Sequence, residues 1–133
     1  MNKLNRVVAF TALAISLSAS PVWAVETPIP IYTETSSITT KSLSASKVAQ
    51  AISTCSAGRG WKFSKAGSGK MVGQLTVRGK HYVEVGVEYS AKAYKITYRD
   101  SKNMKYDVAN NTIHRRYNSW LENLDNDVKF CLR

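Results

Sequence analysis

Two histidines, His81 and His114, and two cysteines, Cys55 and Cys131, are the side chains of this 133-residue chain best suited to nucleophilic or proton-transfer chemistry. A nucleophile–base relay also needs a hydroxyl or thiol and usually a carboxylate that orients the imidazole. His81 falls at the start of a predicted strand, on its apolar side, where a partly buried ring with one satisfied nitrogen is expected. His114 falls in the first turn of a predicted helix, where the helix dipole disfavours imidazolium. No GxSxG elbow accompanies either histidine. The polar side chains nearest them in the predicted fold form one cluster. Asp100, Ser101 and Asn103 follow a strand, and His114, Arg115 and Asn118 lie at a helix start, where free N–H groups favour an anion. With Arg78, Lys95 and Arg99 from the strands, they are the candidate binding residues for an anionic or amide-bearing group.

Other chemistries find less support. Glu84 and Glu88 are four strand residues apart, about 13 Å, beyond the spacing glycoside hydrolysis uses. Each also has a basic residue predicted across the sheet. Asp125 and Asp127 are two positions apart on a helix and do not face each other, so no metal site is assigned. No CxxC occurs, which removes a thioredoxin-type reaction. No catalytic residue and no cofactor is assigned.

The elements that position these residues follow from periodicity. Ala45, Val48, Ala49, Ile52 and Cys55 fall on one helical stripe, with Ser44 or Ser46 as N-cap and Gly58 or Gly60 as terminator. From Trp61 the period becomes two. Met71, Gly73, Leu75 and Val77 alternate with Val72, Gln74, Thr76 and Arg78. His81, Val83, Val85, Val87 and Tyr89 show the same period, as do Tyr94, Ile96 and Tyr98. Pairing Tyr89 with Tyr94 sets Glu88 opposite Lys95, Glu84 opposite Arg99, Val87 opposite Ile96 and Val85 opposite Tyr98. Met104, Tyr106 and Val108 alternate as a short final strand. Asn110, Asn111 and Thr112 are N-cap candidates for a last helix carrying Ile113, Tyr117, Trp120, Leu121, Leu124, Val128 and Cys131, about 19 residues long. The expected fold is α+β: an antiparallel meander of three to four strands, with an N-terminal and a C-terminal helix packed on one face.

The first residues read as an export signal. Lys3 and Arg6 form a positive start, Val7 to Ser18 an apolar stretch too short to span a bilayer with margin, and Val22-Trp23-Ala24 a cleavage sequence. Residues 1–24 are therefore expected to be a signal peptide and 25–43 a flexible lead-in, in which Ile31 and Tyr32 are suited to an edge strand. The α+β domain is expected over 44–133. Two cysteines in an oxidising compartment predict one disulfide, Cys55–Cys131.

The formal charge is +10 and the charged fraction 21%. Lys62, Lys65, Lys70, Lys80, Lys92, Lys102 and Lys105 join the arginines across the strands and turns. Such a field attracts phosphates, envelope acids or acidic proteins. Nucleic acid is a poor expectation, because Tyr82 is the one aromatic predicted on the polar sheet face.

GRGW (58–61), Val77-Arg78, His81, Val83-Glu84-Val85, Tyr94 to Tyr98 with Asp100-Ser101, Met104, Tyr106 and Ile113 to Trp120 together resemble a family of small exported proteins and lipoproteins of proteobacteria. The resemblance spans roughly residues 48 to 131 and is most specific at His114, Tyr117, Asn118 and Trp120. It implies a compartment and a fold but no reaction. Many similar proteins carry a lipid-acceptor cysteine, which this sequence lacks near its cleavage position. The expected function is a periplasmic or secreted, non-enzymatic binding module for an anionic envelope component or an acidic partner. The alternative is an envelope enzyme or enzyme modulator using His114 with Asp100 or Ser101.

Overall fold

The computed structural model describes residues 29–30, 34–37 and 43–133; the predicted leader and Ile31–Tyr32 lie outside the described residues. Helix α1 spans Ala45–Ser56. Ser44 is its N-cap, its Oγ accepting the Lys47 N–H at 3.2 Å, and Val48, Ala49 and Ile52 form its buried stripe. A 3-10 turn, Ala57–Arg59, follows and ends at Gly60, whose φ of 96° lies in the left-handed region. Of the two predicted terminators, Gly60 is the one used.

The meander comes next: β3 (Lys62–Lys65), β4 (Lys70–Val77), β5 (His81–Tyr89) and β6 (Ala93–Lys102). Two backbone segments join it from the N-terminal side. β1 (Ile29–Pro30) pairs with β7 (Thr112–Ile113), and β2 (Glu34–Ser37) pairs along β6. The main sheet is therefore five-stranded, ordered β2-β6-β5-β4-β3 and antiparallel throughout.

The β5–β6 register follows the expected pairing from Tyr89↔Tyr94 to Val85↔Tyr98 and then shifts by one residue. Glu84 faces Asp100, not Arg99 as the alternation predicts. The cause is legible in the side chains. Tyr94, Ile96 and Tyr98 point to the core, and an unbroken strand would send Asp100 after them, opposite Val83. The bulge at Arg99 turns the Asp100 carboxylate to the wet face and places Ser101 opposite the fully buried Val83.

The predicted final strand does not form. Met104 is 2% exposed, but Tyr106 is 40% and Val108 77% exposed. The Asp107 carboxylate accepts the N–H groups of Ala109 and Asn110, at 3.0 and 3.3 Å, and closes a turn. That turn also uses Asn110, Asn111 and Thr112, so none of them caps the last helix. Ile113 is buried through strand β7 and not through a helix. Helix α2 spans Arg116–Cys131, 16 residues, starting later than predicted.

Both helices lie on the apolar face of the sheet. Val83, Val85, Val87, Leu75, Met71 and Ile96 meet Val48 and Ile52 of α1 and Tyr117, Leu121, Leu124 and Val128 of α2 in one core. Fully burying each such side chain is worth about 1.5–3 kcal/mol. The helices are joined covalently by Cys55–Cys131, with Cα atoms 6.5 Å apart and a sequence separation of 76. A loop of that length stabilises by roughly 4 kcal/mol in chain-entropy models. Arg59 adds a two-point ion pair to Asp127, at 2.5 and 3.3 Å. Among the described residues no helix is long and apolar enough to cross a membrane.

Candidate functional site

Three chain segments converge at the end of the sheet where β4 turns into β5. The turn is a type I′ hairpin: Lys80 N–H donates to the Val77 carbonyl at 3.2 Å, and Arg78 and Gly79 have φ of 56° and 66°. The Asn103 side-chain amide donates to the Lys80 carbonyl at 2.8 Å, and the His81 ring pairs through Nδ1 with the Asn103 carbonyl at 2.9 Å. The His114 N–H donates to the Met104 carbonyl at 2.7 Å. These bonds tie residues 78–81, 102–105 and 112–116 together and bring the two imidazoles to 6.4 Å between ring centres.

The two rings are used differently. A carbonyl can only accept, so the neutral tautomer of His81 is the one with its proton on Nδ1. His114 Nδ1 accepts the Arg116 N–H at 3.2 Å and so performs the capping that the helix-start residue Arg115 does not. Its neutral form therefore carries the proton on Nε2.

Around this seam the exposed cations gather. Arg78 and Lys80 come from the hairpin, Lys102 and Lys105 from the end of β6, and Arg115 and Arg116 from the start of α2; all six are exposed. Lys102 Nζ sits 5.8 Å from the Tyr82 ring centre. Asp100 and Asp107 are the acids that flank residues 102–105. The conformations here are unusual for the residues that adopt them. Arg78, Asn103, Lys105 and Asn111 all have φ between 52° and 56°, and they are the non-glycine residues with positive φ among those described.

An aromatic wall stands behind the cations. Tyr98 stacks on Tyr106 at 4.3 Å and meets the edge of Tyr117 at 5.8 Å. Burial raises the Tyr98 and Tyr117 phenols above their ordinary range. The Tyr117 hydroxyl is buried with no hydrogen-bond partner among the described residues.

The predicted site residues divide between locations. Arg78, His114 and Arg115 belong to this end. Asn118, one helical turn further, lines with Arg115, Arg116 and Trp120 an open groove of about 560 Å³. Arg99, at the bulge, donates through Nε to Glu84 Oε2 at 3.2 Å. Glu84 Oε1 accepts from Gln74 and Tyr82, both at 3.0 Å. The Gln74 and Tyr82 hydrogen bonds, then Arg99, hold the Glu84 carboxyl below its usual range. Lys95 is paired with Glu88 near the other end of the sheet, about 23 Å along the strand from Lys102.

Asp100 Oδ1 accepts the Ser101 N–H at 2.8 Å, and Ser101 Oγ is bonded to the Tyr98 hydroxyl at 2.9 Å. His114 Nδ1 is committed to the Arg116 N–H and Ser101 Oγ to the Tyr98 hydroxyl. Lys80, Lys102, Lys105 and Arg116, and with them His81, are not among the candidate binding residues. The Arg78-Gly79 pair between two alternating runs was the available signal, because it fixes a tight hairpin and hence the position of its neighbours. Nothing in the spacing of His81 and His114 signals their approach. Among the described residues no group of three or more His, Cys, Asp or Glu could hold a metal ion. No protein-family model, no curated protein and no solved structure matches the chain.

Proposed function

We propose that the protein is an exported, non-enzymatic binding module whose basic sheet end takes a phosphate- or carboxylate-bearing component of the cell envelope. The observation that carries this reading is the convergence of six exposed cations from three hydrogen-bonded segments on one end. Hydrogen bonds between these segments fix the backbone from which the charges extend, so less ordering entropy opposes an arriving anion. The disulfide and the leader's charge–apolar–cleavage order support an oxidising, extracytoplasmic setting.

The test is binding of the oxidised protein to phosphatidylglycerol vesicles and, separately, to purified lipopolysaccharide, each at low and high salt. Exposed-charge binding weakens steeply with ionic strength. Replacing Arg78, Lys80 and Lys105 together by Ser should lower affinity about tenfold or more, on the scale of a few exposed charge contacts. Replacing Lys70, Lys92 and Lys95 should leave it nearly unchanged. Equal losses from both triples would reduce the proposal to general electrostatic attraction.

A further inference from the structure

At the opposite end of the sheet, an open groove of about 650 Å³ runs between α1 and the β3–β4 hairpin. We propose that it is a second binding site, separate from the basic end, for a short stretch of a hydroxyl-rich glycan. Its volume is that of a small-ligand site, and it exists because facing wall positions are small: Ala45 and Ala49 on the helix, Gly67 and Gly69 on the turn.

The floor is aromatic and held in place. The half-buried rings of Phe63 and Tyr89 line it beside Met71. Phe63 lies over Gly73, where any Cβ would collide with its ring, and stacks on buried Trp61 at 5.9 Å. A sugar presents an apolar C–H face of about the area such a ring covers.

The rim is polar and uncommitted. The hydroxyls of Ser46, Ser53 and Ser68, the Gln50 amide and the Lys65 ammonium border the groove. None of these side chains bonds to another described residue. Among the described residues the walls carry no carboxylate and one cation, so charge is not the main means of selection. A polyphosphate would find more partners at the other end, and a purely apolar ligand would strip water from the rim without replacing its hydrogen bonds. Alternating hydroxyls around an apolar ring face satisfy both surfaces.

The full chain, with its disulfide intact, is titrated with cellotetraose and with the N-acetylglucosamine tetramer while backbone amide shifts are recorded. Shifts confined to Gln50, Phe63, Ser68 and Tyr89 are expected. Ser53→Trp, which fills the groove from a partly exposed helix position, should abolish them. Phe63→Ala should weaken binding about tenfold, the scale of one lost aromatic contact. Because Phe63→Ala also removes the Trp61 stack, Gln50→Ala serves as a second variant outside the core and should weaken binding with unchanged thermal unfolding. Absence of shifts with both sugars at millimolar concentration would overturn the proposal. So would shifts that persist in Ser53→Trp, or that appear at Arg78 and His114 instead.

Discussion

The two ends of the sheet reverse the chain by different means. At the end carrying residues 66–70, glycine supplies the left-handed conformations: Gly67 has φ of 121° and Gly69 of 68°. At the basic end Arg78, Asn103, Lys105 and Asn111 supply them, although a side chain makes that region costly. The buried tyrosines differ in the same sense. Tyr94, near the first end, donates to the buried Asp125 carboxylate at 2.6 Å, and Lys129 completes the group at 2.7 Å. Tyr117, near the basic end, buries its hydroxyl without a partner among the described residues. One end satisfies local rules and the other breaks several at once. Such departures persist where surrounding structure holds them, and they concentrate at functional surfaces.

The contrast can be broken or sharpened. The largest expected effect bears on the frame shared by both ends. Replacing Cys55 and Cys131 together by Ser should cost roughly 4 kcal/mol in denaturant unfolding. Under conditions that keep the variant folded, affinity for anionic vesicles should be unchanged. Next come the tyrosines. Tyr94→Phe should cost about 2 kcal/mol, because it takes a donor from a buried carboxylate, whereas Tyr117→Phe should cost nothing or stabilise slightly. Equal losses in urea melts would remove the contrast in polar satisfaction.

The turns should show opposite signs. Gly69→Ala is expected to cost about 1–2 kcal/mol, since its Cβ would also meet the Tyr89 carbonyl at 3.1 Å. Arg78→Asn should gain about 0.5 kcal/mol by suiting the I′ turn, while weakening anion binding. The smallest effect is a pH dependence. Glu84's carboxyl is held below the usual range when folded, so its contribution is complete above the ordinary carboxylate pKa. It fades as pH falls through the lower folded value. Glu84→Gln should lose that part of the acid slope in urea midpoints measured across acid pH.

The register was readable because two patterns agreed. Val87 and Val85 meet Ile96 and Tyr98 only in the frame that sets Glu88 against Lys95. The bulge was implicit in the same alternation, which carried Asp100 into the core, but pairing charges locally hid the conflict. The start of α2 was misread because Ile113 fits the helical stripe equally well. Its real partner is the backbone of Ile29, far away in sequence, and periodicity says nothing about such pairings. The candidate site was half legible. Helix-start and turn residues such as His114, Arg115 and Arg78 declare themselves by type. The meeting of His81 with His114 depends on three hydrogen bonds between separate segments, two of them through side chains, and none of them leaves a local signature.

The sulfur link between residues 55 and 131 makes a ring of nearly the whole described domain. A protease that nicks any exposed turn inside that ring, at 67–69, 78–80 or 105–111, leaves two fragments that cannot drift apart. The cut protein keeps its mass until a reductant opens it. The sheet can thereby stay assembled around a severed backbone.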